Sequence, residues 1–138
     1  MKLVADFFVF ESTLRDGAFV TAGDLDGDGF ADLIAGGGPT GGPRVFAVDG
    51  QSLVVTRGGS LVQRANFFAA DPDIRTGVRV AAKDFDDDGQ SDLVVAVTTP
   101  AGPRVATFLG KTIPVNGDPP AATAFGLYPG LLSGVFVG

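Results

Sequence analysis

Shifted by 60 residues, the sequence lies on itself without a gap. Phe7-Phe8 falls on Phe67-Phe68, Arg15 on Arg75, Gly17 on Gly77 and Val20 on Val80. Asp32-Leu33 falls on Asp92-Leu93, and Gly42-Pro43-Arg44-Val45 falls on Gly102-Pro103-Arg104-Val105. A third copy opens at a shift of 117, where Phe125 matches Phe8, Leu131 matches Leu14, Gly134 matches Gly17 and Phe136-Val137 matches Phe19-Val20. A fixed period of this length marks a repeat architecture, in which each supersecondary unit buries its apolar face against the next. The phase divides the chain into a lead-in over 1–6, repeat one over 7–66, repeat two over 67–124 and a truncated third repeat over 125–138.

Within each repeat the apolar runs are short and punctuated. Residues 18–22 lead into an acidic segment and residues 31–35 lead out of it. A glycine- and proline-rich turn over 36–43 follows, then a third run over 44–48 and a fourth around Leu61 to Ala69. Residues 78–82, 91–97 and 104–109 repeat the first three. With 21 Gly, 9 Pro, a single Glu and a single Met, the composition favours strands and turns over long helices. Four short strands per repeat predict an all-β chain of four-stranded antiparallel propeller blades, two complete and a third begun. A sandwich also accommodates short strands, but it does not require so regular a repeat.

Each acidic segment reads Asp-x-Asp-x-Asp-Gly-x-x-Asp. The carboxylates are Asp24, Asp26, Asp28 and Asp32 in the first, and Asp84, Asp86, Asp88 and Asp92 in the second. Alternate carboxylates on a tight loop converge on one point, and glycine at the sixth position permits the bend. The backbone carbonyls of Phe30 and Gln90, at the seventh position, complete an expected oxygen-only ligand set for one calcium ion per loop, two per chain. An EF-hand is excluded, because Ala35 and Val95 stand where its twelfth-position Glu belongs and β-branched residues follow instead of an amphipathic helix. The two loops hold eight of the sixteen acidic residues; the other eight face ten Lys and Arg, so two calcium ions take the net charge from −6 to −2. Four carboxylates within nine residues repel one another unless a cation joins them.

The remaining features exclude more than they assign. Cysteine and histidine are absent, which removes disulfides, thiol chemistry, histidine bases and the common zinc ligands. The acids outside the loops show no recurrent pair beyond Asp71 and Asp73, so catalysis is not expected. The glycines over 36–42 are not followed by Lys-Ser or Lys-Thr, which argues against a phosphate loop. Net charge and scattered basic residues argue against nucleic acid. No apolar run approaches the length of a membrane span, and the stretch before Asp6 is too short for a signal peptide. Arg44 and Arg104 are expected to pair with a loop carboxylate or with backbone between repeats. The recurrent aromatics Phe7, Phe8, Phe67, Phe68 and Phe125 are expected to pack between blades, with Tyr128 left as the candidate for surface contact.

The run Gly23-Asp24-Leu25-Asp26-Gly27-Asp28-Gly29-Phe30-Ala31-Asp32-Leu33-Ile34-Ala35-Gly36 resembles an FG-GAP or VCBS-type repeat, as in the propellers of integrin α-subunits. The Gly-Gly-Pro-Arg-Val segment and the Phe-Phe pair are similar to tandem repeats of bacterial surface and secreted proteins. The resemblance implies calcium between the first two strands of each blade and an extracellular or cell-surface setting. It further implies adhesion, lectin-like glycan recognition or scaffolding, with a glycan or cell-surface protein as partner. Such propellers have more blades than this chain encodes, so homo-oligomerisation is expected to complete the ring. A purely structural, self-assembling unit is the alternative.

Overall fold

The structure, a computed structural model, describes residues 3–126 and 135–138; Tyr128, Leu131 and Gly134 lie outside the described residues. Two antiparallel meanders of four strands make up the fold. The first contains β1 (Ala18–Gly23), β2 (Asp32–Gly37), β3 (Arg44–Val48) and β4 (Gln63–Phe68). The second contains β5 (Arg79–Lys83), β6 (Asp92–Thr99), β7 (Gly102–Phe108) and β8 (Thr123–Gly126). Each sheet is one blade, and the all-β, four-stranded expectation holds. Phe67-Phe68, which opens repeat two in the sequence phase, closes the last strand of blade one.

The strands follow from alternation and from what lies on each face. In blade one, Ile34 pairs with Ala47, Gly36 with Val45, Val45 with Phe67 and Ala47 with Ala65. This places Ile34, Val45, Ala47, Ala65 and Phe67 on one face, and all are buried. Facing them are Val80, Leu93, Val95, Val97, Ala106 and Phe108 of blade two, so one continuous core fills the gap between the sheets. Phe67 meets Phe108 edge-on, with ring centroids 5.2 Å apart and planes at 62°, the geometry that the ring quadrupole favours. Phe67 therefore packs between blades as expected. Phe8 stays 82% exposed and does not.

Close approach of the blades depends on glycines, with the tightest contact at Gly36. A Cβ on Gly36 would stand 2.3 Å from the carbonyl oxygen of Val78, at the entry to β5. The neighbouring Gly37 carbonyl accepts the Val78 N–H at 2.8 Å, and Thr40 N–H reaches the Arg75 carbonyl at 2.9 Å. The turn after β2 is thereby sewn to the segment that enters blade two.

A short helix, α1 (Gly50–Val55), follows β3 and is absent from the strand-and-turn reading of the sequence. It shows no helix-period apolar face, since Val54 and Val55 are 60% and 71% exposed. Its cause is local: the Asp49 side chain caps it by accepting the Ser52 N–H at 2.6 Å. In blade two the matching position holds Leu109, which cannot cap, and a single 3₁₀ turn over Gly110–Thr112 forms instead.

Gly36→Ala forces a carbon onto a backbone carbonyl and is expected to cost about 1–3 kcal/mol, the usual range for overpacking. Gly126→Ala meets nothing nearer than 4.0 Å and should stay within about 0.5 kcal/mol of the parent. Urea unfolding of both variants checks this; equal midpoints would mean that the blades do not approach at Gly36.

Candidate metal centre

Each acidic segment forms a loop between the first two strands of its blade, closed by its own carboxylates. In loop one, Asp24 Oδ1 accepts the N–H groups of Gly27 at 2.7 Å and Asp28 at 3.2 Å, and its Oδ2 accepts Gly29 N–H at 2.9 Å. Asp26 Oδ1 accepts Asp28 N–H, and Asp28 Oδ1 accepts Phe30 N–H. Loop two repeats the pattern: Asp84 accepts Asp88 N–H and Gly89 N–H, and Asp88 accepts Gln90 N–H. The bend requires left-handed backbone at Gly29 and Gly89, with φ of 89° and 87°. The fourth position bends likewise, at Gly27 in loop one and at Asp87 in loop two, where φ is 56°. Aspartate is among the few side chains that tolerate this region.

The ninth-position aspartates are buried, unlike the others. Asp32 Oδ2 accepts Leu25 N–H at 3.0 Å and Asp32 Oδ1 accepts Gly50 N–H at 2.9 Å. In blade two, Asp92 Oδ2 accepts Phe85 N–H at 2.8 Å and Asp92 Oδ1 accepts Gly110 N–H at 2.9 Å. One carboxylate thus ties together the loop, the second strand and the turn after the third strand. Glycine is needed opposite it, because a Cβ on Gly50 or Gly110 would lie 2.2 Å from the carbonyl oxygen of Ala31 or Ser91. Burial pushes the Asp32 carboxyl above the ordinary aspartate range, against the opposing pull of the Gly50 and Leu25 N–H bonds.

The predicted ligands gather into clusters. One carboxylate oxygen from each of Asp24, Asp26 and Asp32 lies within 4.8 Å of the others, and the same holds for Asp84, Asp86 and Asp92. Asp28 clusters with Asp26 and with Asp49, the helix-capping aspartate. Asp88 sits across loop two, where its Oδ2 is 3.0 Å from Lys111 Nζ. Phe30 and Gln90 occupy the turn after the fifth-position carboxylate, each donating its N–H to it. A donor set made only of carboxylate oxygens is hard and flexible, which suits calcium.

Sequence reasoning missed three cation and carboxylate contributors around the loops, as well as the clasp glycines. Asp49 adds a carboxylate beside loop one. Arg64 reaches Asp26 Oδ2 at 3.3 Å while donating to the carbonyls of Leu25 and Ile113. Lys111 bonds Asp86 Oδ2 at 2.5 Å. A signal for the clasp was present, since Gly50 and Gly110 each stand eighteen residues after the aspartate that they meet. Arg44 does not reach a loop carboxylate: it pairs with Glu11 at 2.7 Å and bonds Asn66. Arg104 bonds the Ala69 carbonyl between blades, as expected.

Residues 17–55 match the family model of the FG-GAP repeat. The matched stretch covers β1, loop one, β2, β3 and α1. FG-GAP repeats are β-propeller blades and form a non-catalytic repeat family. Comparison with curated proteins and with solved structures gave no match. Among the described residues no helix is long and apolar enough to cross a membrane.

Asp32→Ala strands two buried N–H donors, those of Leu25 and Gly50, at about 1–3 kcal/mol each. Stability should therefore fall by about 2–6 kcal/mol even in EDTA, read by chemical denaturation. An Asp32→Ala protein as stable as the parent in EDTA would show that the clasp does not hold the blade.

Proposed function

We propose that this chain is a calcium-pinned pair of propeller blades that serves extracellular binding or adhesion, with the metal in a structural role. The observation that carries it is the recurrence, in both blades, of a carboxylate cluster closed on itself between the first two strands. Asp24, Asp26, Asp28 and Asp32, with the Phe30 carbonyl, would hold one ion. Asp84, Asp86, Asp88 and Asp92, with the Gln90 carbonyl, would hold the other. A bound cation relieves the repulsion among the carboxylates and fixes the turn that joins the first two strands. It also opposes the burial cost of Asp32. Affinity in the range of extracellular modules, about 10⁻⁴–10⁻³ M, matches loops this exposed. The FG-GAP match supports a propeller module, and repeats of that family are typical of extracellular or surface proteins; an integrin-like, VCBS-type character and a glycan or surface protein as ligand are part of the proposal.

Assembly with further copies belongs to the same proposal. The face of blade two turned away from blade one carries Phe85, Val94 and Phe125, the counterparts of Leu25, Ile34 and Phe67. In blade one those three are buried against blade two, whereas Phe85 and Phe125 are each 50% exposed. Residues 135–138 lie along part of this face, with Phe136 4.1 Å from the Arg79 guanidinium. A blade from a second copy would bury it as blade two buries its neighbour, leaving a self-assembling structural unit as the narrower alternative.

Calcium at about 1 mM should raise the melting temperature, by the equivalent of about 0.4–1.4 kcal/mol per site at that affinity. The Asp28→Ala/Asp88→Ala double variant should lose that rise yet melt close to the parent in EDTA; equal losses in both conditions would refute a metal role for these residues. Light scattering in calcium should give a multiple of the 14.0 kDa chain. A monomer at micromolar concentration would refute the assembly, and a glycan-array screen separates a binding module from a structural unit.

A further inference from the structure

The two loops, alike in motif, differ in how a neighbouring cation meets their carboxylates. In loop two Lys111 Nζ lies 2.5 Å from Asp86 Oδ2 and 3.0 Å from Asp88 Oδ2. It therefore stands between the third- and fifth-position carboxylates, two of the proposed ligands. The matching residue of blade one is Gln51, which is neutral. The cation at loop one, among the described residues, is Arg64, and it enters differently. Its guanidinium is fixed by the Leu25 and Ile113 carbonyls and approaches a single oxygen, Asp26 Oδ2, at 3.3 Å. Loop one also gains Asp49, clustered with Asp26 and Asp28, where blade two has Leu109. Asp87 adds a charge beside loop two, but it stands outside that cluster.

We infer that Lys111 is a tethered competitor for the second metal site, so that loop one is the tight calcium site and loop two a weak one. The inference deepens the calcium reading proposed above and rests on it. An ammonium bridging two ligand oxygens supplies the neutralisation that the ion would otherwise bring, so calcium must displace it and gains less on entry. Displacement is possible because the Lys111 side chain is 45% exposed and can swing into water. Loop two thereby keeps a cation across two of its carboxylates with or without calcium, whereas among the described residues no side-chain cation bridges two carboxylates of loop one. As calcium falls, loop two would empty first, with Lys111 taking the ion's place between Asp86 and Asp88.

Isothermal titration of calcium into the full chain tests this. The parent should show two classes of site, and Lys111→Gln, which installs the residue blade one already has, should tighten the weaker class about tenfold. Lys111→Arg keeps the charge and should stay near the parent. Melting supplies a second readout: Asp28→Ala should abolish most of the calcium-dependent rise, and Asp88→Ala should remove little of it. Two equal sites in the parent, unmoved by Lys111→Gln, would overturn the role of Lys111 and leave the calcium reading standing. Equal tightening by Lys111→Arg and Lys111→Gln would overturn it too. Absence of binding to the parent and to Lys111→Gln would overturn both.

Discussion

Two buried carboxylates organise this fold. Asp32 and Asp92 each accept one N–H from their own loop and one from a glycine eighteen residues on. Taking a carboxylate out of water is costly, and only partners that fill both oxygens make it tolerable. The cost is met here by backbone donors that have no other partner at a tight turn. The acidic loop, the second strand and the turn after the third strand consequently form one unit. Any cation that settles on the loop acts through this clasp on the whole blade.

The loops are also tied to the packing between blades. Leu25, the second residue of loop one, is buried in the shared core, and the Asp24 carbonyl accepts Ser91 N–H at 2.6 Å at the end of loop two. Loop one is therefore clamped between its own sheet and the next one. Phe85, its counterpart in loop two, is half exposed because no complete blade covers it among the described residues. The shared motif of the two loops thus meets unequal surroundings, and the charges are compensated differently, by Arg64 in one and by Lys111 in the other.

The repeat made much of this legible. Strand positions followed from the short apolar runs, and the loops from Asp-x-Asp-x-Asp-Gly-x-x-Asp, because local pattern and final fold agree there. Helix α1 was not legible: its six residues lack a helix-period apolar face, and it rests on the Asp49 cap. By register the pair Phe7-Phe8 looked equivalent to Phe67-Phe68, yet Phe67 is covered and Phe8 is exposed, since burial depends on which sheet face has a neighbour. The long-range partners of Arg44 and Arg64 were equally out of reach, because residues 33 and 38 positions away are brought alongside only by the packed chain.

By itself, the sequence determined the period, the number of strands in each blade and the residue types that crowd each loop, because these depend on local alternation and on spacing along the chain. Tertiary structure decided what each carboxylate meets. It turned Asp32 and Asp92 inward as clasps and set Lys111 across Asp86 and Asp88, while Gln51 occupies the matching sequence position in blade one. Those outcomes depend on distances between residues far apart in the chain, which no spacing rule records.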